Sequence, residues 1–228
     1  MNKTYIEMDT RQIKDFDQVS VRGNACSTRL FINQGEQESL IIKAPQEYLP
    51  RVRSEVRGKK LTIRLAGSWL QELEDAISTC LRKPHIIYCL TVRELTYLNV
   101  HCAESVQLSR IETPHLRIRL NGTGDFCLDQ LLSRKLDVSH FGSGVMRISG
   151  QVEQQAVVLN GLGSYIAPGL DSQRAQIRIS GTGAVRVHAE QELDAMLRGV
   201  SLLEYSGEPT VIKRISGPGR VLHIKKNR

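Results

Sequence analysis

Aromatic residues make up only 5% of the 228-residue chain, with a single Trp, so its core has to be built from aliphatic side chains. No run approaches the roughly 18 consecutive apolar residues of a spanning helix. Met1 to Ile13 carries charges where a secretion leader has an apolar stretch. These absences exclude a helical membrane span. They predict the cytoplasm if Met1 is the native start, and the envelope or the exterior if a leader has been removed. The five cysteines, Cys26, Cys80, Cys89, Cys102 and Cys127, form no C-x-x-C pair, which argues against a disulfide framework or a zinc site. They read as small, half-buried apolar side chains. Acid is missing from residues 213–228, where Lys213, Arg214, Arg220, Lys225, Lys226 and Arg228 supply six of the seven excess positive charges; residues 1–212 hold 25 basic and 24 acidic side chains. A nearly neutral body with a basic end lacks the spread-out positive face that binds a duplex, so no nucleic-acid partner is expected.

What the chain does have is glycine at a fixed period. Gly-x-Gly occurs at Gly122/Gly124, Gly142/Gly144, Gly161/Gly163, Gly181/Gly183 and Gly217/Gly219, with a degenerate copy at Gly199 and Ser201; the first glycines lie 20, 19, 20, 18 and 18 residues apart. Two places before them stand Leu120, His140, Leu159, Ile179, Leu197 and Ile215, and two after the second place stand Phe126, Met146, Tyr165, Val185, Leu203 and Val221. Period-two alternation on both sides of a turn means strand, turn, strand. Equivalent residues at equivalent places mean that each coil stacks on the next, and the expected fold is all-β, a single-stranded parallel β-solenoid whose glycines turn the same corner each time. A phosphate loop is excluded because no helix pattern follows any copy.

Weaker copies extend toward the N-terminus through Leu98 to Val106, and short β-type runs fill residues 19 to 65. One segment differs. Trp69, Leu70, Leu73, Ala76, Ile77, Cys80 and Leu81 recur at helical spacing after a capping box at Ser68 and Gln71, and Pro84 stops the run, so one inserted α-helix is expected over 69–82. The whole of 1–228 reads as a single domain with its core over about 14–224.

Several stretches resemble one known family: Phe16 to Val21, Leu30 to Gly35, Val52 to Ile63 with Gly58 and Leu61, the Gly-x-Gly series, and Tyr205 to Pro209 shortly before Ile215 to Gly219. In this order they are similar to the putative auto-transporter adhesin head GIN domain family of bacterial proteins. The resemblance implies a right-handed parallel β-helix, no enzymatic activity, and an envelope or adhesion setting.

Enzymes built on β-helices place paired carboxylates on neighbouring coils. The columns through Arg117, Asp137, Ala156, Gln176, Asp194 and Ile212, and through Asp125, Val145, Ser164, Ala184, Leu202 and Arg220, never bring two acids onto adjacent coils. Arg117 beside Asp137 reads as an ion pair, His140 as a satisfied core imidazole, and Ser206 in the column of His188 as a pair without an acid. No catalytic residue, cofactor or metal ligand is therefore predicted. The alternative is a carbohydrate-active enzyme using Asp125 or Asp137 on an acidic polysaccharide. Arg119, Arg178 and Arg214 recur three places before the first glycine, and Arg147 and Arg186 three places after the second. Together they form the expected acidic-ligand face, its partner an acidic glycan or a protein. The terminal coil reads as protected from edge pairing by Pro218 and the basic end, so that any homo-oligomer forms through lateral faces.

Overall fold

The computed structural model describes residues 6–23, 27–66 and 85–225, and nearly all of them lie in strands. The strands wind into a β-solenoid of about 6 turns. The expected helix over 69–82 lies outside the described residues. The chain enters through β1 (Ile6–Arg11), β2 (Gln18–Arg22), β3 (Ser27–Gln34), β4 (Ser39–Pro45), β5 (Val52–Arg57), β6 (Lys60–Leu65) and β7 (His85–Val92). The regular coils follow in β8 (Tyr97–His101), β9 (Ser105–Glu112), β10 (His115–Thr123), β11 (Asp125–Ala167) and β12 (Leu170–Gly181). The stack ends with β13 (Gly183–His188), β14 (Glu192–Arg198), β15 (Ser201–Ser206), β16 (Thr210–Ser216) and β17 (Arg220–His223).

Two walls result. One runs β6, β2, β8, β10, β11, β12, β14, β16, and the other β7, β3, β9, β11, β13, β15, β17, with every neighbouring pair parallel. The register is the spacing of the sequence repeat: Gly122 pairs with Gly142, and Gly161 with Gly181. In β10 the burial alternates through Leu116, Ile118 and Leu120 inside and Arg117 and Arg119 outside. The inward residues of all coils merge into one aliphatic core. Each fully buried Val, Leu or Ile there is worth about 1.5–3 kcal/mol against exposure, and the stacking of like columns makes that burial mutual.

The corner glycines are required for two separable reasons. Gly122, Gly124, Gly142, Gly144, Gly161, Gly181 and Gly217 have φ between +100° and +153°. Gly163, Gly183 and Gly219 do not, and there crowding takes over: a Cβ on Gly163 would lie 2.6 Å from the His140 ring.

The N-terminal end departs from sequential stacking. The coil of β6 and β7 sits outside that of β2 and β3, and antiparallel pairs β1–β4, β4–β7 and β5–β6 close the end. The cause is local. Arg57 pairs with Lys60 across a two-residue turn with Gly58 at φ +58°, which sends β6 back along β5 and onto β2. At the other end β16 and β17 are the outermost strands among the described residues. Lys213, opposite buried Ala195 in an inward column, is exposed there, and Pro218 between the two strands offers no N–H.

His140 corrects one expectation. Its ring is buried in the column of Leu120 and Leu159, but Nδ1 has no hydrogen-bond partner. Burial lowers its pKa, with the Ser143 backbone pulling weakly the other way. The folded protein therefore takes up this proton at lower pH than the unfolded chain, whose imidazole titrates near 6.5. Stability from this site is complete above about pH 6.5 and is lost as pH falls below it. His140→Leu is expected to stabilise the fold by about 1–2 kcal/mol and to flatten the acid limb of a Tm-against-pH series. An unchanged or steeper limb would show that the imidazole is paired after all.

Candidate functional site

The five arginines do not converge on one face. Arg119, Arg178 and Arg214 lie on the wall of β10, β12 and β16, in the column that runs through Ser139 and Met196. Arg147, close enough to Cys127 to act on its thiol, and Arg186 lie on the wall of β11, β13 and β15, across the Gly-x-Gly corner. Three of them are engaged. Arg214 Nη1 meets Asp194 Oδ1 at 3.2 Å, Arg186 Nε donates to Glu204 Oε2 at 2.8 Å, and the Arg119 guanidinium lies 5.5 Å from the centroid of Phe141.

The two acids considered for catalysis are also engaged. Asp125 Oδ1 accepts the Val145 N–H at 3.0 Å. Asp137 Oδ2 lies 2.7 Å from His115 Nε2 and 3.6 Å from Lys135 Nζ, so its near partners are these two rather than Arg117, which stands opposite it in register. Burial together with Asp129 pushes the Cys127 thiol up, away from the reactive thiolate. Among the described residues no three His, Cys, Asp or Glu side chains gather as a metal would need.

The Ser206–His188 pair does have an acid. His188 Nδ1 lies 2.9 Å from Ser206 Oγ, and Nε2 lies 2.7 Å from Glu190 Oε1. A neutral ring satisfies both contacts: Nε2–H donates to Glu190, and the Ser206 hydroxyl donates to Nδ1. These are the residue types of a hydrolytic triad. Their placement is not that of one, because Ser206 and His188 are each only 3% exposed and face the core. The trio instead continues inward. Gln155 Nε2 donates to Ser172 Oγ at 2.9 Å and to the His188 carbonyl at 3.3 Å, and the Tyr165 hydroxyl donates to Gln155 Oε1 at 3.1 Å. Burial raises the Tyr165 pKa far out of range, so this hydroxyl stays protonated and donating. The result is a satisfied polar rung tying the last coils together.

A long concavity lies at the corner opposite the Gly-x-Gly turns. There residues 112–114, 132–134, 151–153 and 171–173 stack coil on coil, held by pairs such as Leu132 with Glu112 and Gln151 with Asp171, and Glu190 N–H donates to the Ser172 carbonyl at 3.0 Å. They enclose a groove of about 580 Å³. At about 4.8 Å per coil it runs on the order of 19 Å along the solenoid axis. Pro114, Leu132 and Val152 give it an apolar floor, with Leu132 itself 43% exposed. Glu112, Glu153, Asp171 and Glu190 line it against Arg134. Thr113, buried beside it, leaves Oγ1 without a hydrogen-bond partner. Nothing in the sequence pattern marks this groove, because its residues fall in the stretches between the glycine pairs where no periodic residue type labels the corner.

Among the described residues no helix is long and apolar enough to cross a membrane. No curated protein matches the chain. Solved structures do. A protein described as a putative adhesin from Bacteroides fragilis superposes with TM-score 0.81 at 20% identity, covering 98% of this chain and 97% of that one. A putative lipid binding protein from Parabacteroides distasonis and a putative adhesin from Parabacteroides merdae each give TM-score 0.71 at 17% identity, with 96% of both chains covered. Likeness at such identity establishes a common fold. The family model described as "Putative auto-transporter adhesin, head GIN domain" matches residues 15–209, most of the chain, and the chain belongs to that family.

Proposed function

We propose that the chain acts as one non-catalytic binding unit of the bacterial cell envelope, laying an extended partner along the groove at the 112–190 corner. The observation that carries this reading is the groove itself, continuous over stacked coils, with an apolar floor and carboxylates along its sides. Carboxylates accept hydrogen bonds from hydroxyl and ammonium groups, and Leu132 and Pro114 suit the C–H faces between such groups. An acidic glycan fits less well. The groove would repel it, and the arginines expected to hold it lie on two walls with Arg186 and Arg214 already paired. That structural neighbours are described as a putative adhesin and a putative lipid binding protein supports a surface-binding role over catalysis.

The test is calorimetric titration with chito-oligosaccharide, neutral dextran fragments and polygalacturonate. Binding of the first or second, weakened at least about tenfold in a Glu153→Gln/Asp171→Asn variant and unchanged in Arg178→Ala, is the expected result. Binding of polygalacturonate alone, lost in Arg178→Ala, would move the site to the arginine row. Prolonged incubation with polygalacturonate should yield neither new reducing ends nor unsaturated products; turnover abolished by Asp137→Ala would make the protein an enzyme.

A further inference from the structure

The last coils carry an apolar cluster that neither the core nor the groove uses. At the middle place of the corner turns stand Thr123, Ser143, Leu162, Thr182, Val200 and Pro218, so the aliphatic residues Leu162 and Val200 flank Thr182 at the corners of the later coils. Leu162 is 69% exposed, Val200 58% and nearby Leu222 44%. These side chains surround a second hollow, of about 580 Å³. A residue at the tip of a solenoid corner packs against nothing inside, so its apolar surface contributes little to folding.

The charge left over around this cluster is positive. Arg198 immediately precedes the Gly199 corner and Arg220 lines the hollow, while Glu204, opposite Leu222 in register, is held by Arg186. The acids of these coils are directed elsewhere: Asp194 to Arg214, Glu204 to Arg186, and Glu192 to Arg174 at 3.3 Å. Glu208 lies between β15 and β16, at the other end of those strands from the Gly-x-Gly corner. Protruding aliphatic side chains ringed by uncompensated cations are the chemistry of an interfacial anchor, in which apolar groups enter the headgroup boundary while Lys and Arg meet anionic lipid. Two copies of this corner would bring Arg198 and Arg220 against their own kind, which disfavours a second chain as occupant. We infer that the Gly-x-Gly corner of the last coils, with Leu162, Val200 and Leu222 as its apolar contacts, docks on an anionic lipid surface. This surface is separate from the groove, and either assignment stands if the other fails.

Co-sedimentation of the full chain with vesicles of phosphatidylcholine alone, and of phosphatidylcholine mixed with phosphatidylglycerol, tests the inference. Pelleting with the mixed vesicles only, weakening as salt is raised, is expected. Leu162→Asp/Val200→Asp should lower the partition coefficient about tenfold or more while leaving the thermal midpoint unchanged, since both side chains are exposed. Arg198→Glu/Arg220→Glu should weaken it comparably and serves as the second reading if the aspartates disturb the fold. Wild type remaining in the supernatant with both vesicles, equal pelleting with both, or pelleting unaffected by either variant would overturn the inference. So would a wild-type dimer in light scattering that Leu162→Asp/Val200→Asp converts to monomer without any lipid binding, which would give the patch to a second copy.

Discussion

Gly142→Ala is expected to cost about 3 kcal/mol or more, enough to move a urea midpoint by more than any surface change in this chain. Two penalties coincide there. The backbone holds φ at +141°, and a Cβ would stand 2.0 Å from the Gly122 carbonyl oxygen of the coil below. That oxygen cannot swing aside, because Gly122 and Gly142 are paired in the β10–β11 ladder. Gly58→Ala is the control: its φ of +58° is also left-handed, but nothing lies within 4 Å of the added atom. It should cost only about 1–2 kcal/mol. The contrast separates torsional strain from coil-on-coil contact, and equal losses at the two sites would mean that the stacking distance is looser than described.

That same stacking explains which features were legible in the sequence. The Gly-x-Gly spacing became the ladder register because each corner must meet its own copy one coil below, and a period repeated this often has no competing explanation. The N-terminal order was not legible. β2 ends at a single corner glycine, Gly23, stacked on Cys102, but neither β2 nor β6 carries a Gly-x-Gly, and their pairing depends on a hairpin at Gly58 whose consequence is seen only in three dimensions. Arg178 and Arg214 share a column through Met196, but a corner divides them from Arg186, and nothing in the spacing marks the acids that pair with Arg186 and Arg214. Glu190 was equally hidden, because it lies two residues past His188, beyond the end of β13, rather than on a neighbouring coil. The groove left no trace because its corner is made of Pro114, Ser133, Val152 and Ser172, residues with no common type to repeat.

His188→Ala should then be the most damaging substitution outside the corners, at about 3 kcal/mol by urea unfolding, for reasons unrelated to catalysis. Removing the ring opens a cavity between the last coils and leaves the buried Ser206 hydroxyl without its acceptor. Ser206→Ala deletes the donor instead and strands Nδ1 of a 3% exposed imidazole, at a cost of about 1–2 kcal/mol. Glu190 is different: its side chain is 60% exposed, water replaces much of what it offers, and Glu190→Gln keeps an acceptor for Nε2–H, so the loss should stay below about 1 kcal/mol. The double variant His188→Ala/Ser206→Ala should be less destabilised than the sum of the singles by about 1 kcal/mol, the signature of two groups that satisfy one another. A triad would order these residues otherwise. Each member would then control turnover with little effect on folding, so a Ser206→Ala protein of wild-type stability that has lost a hydrolytic activity would reverse the assignment of this trio from a structural rung to a site.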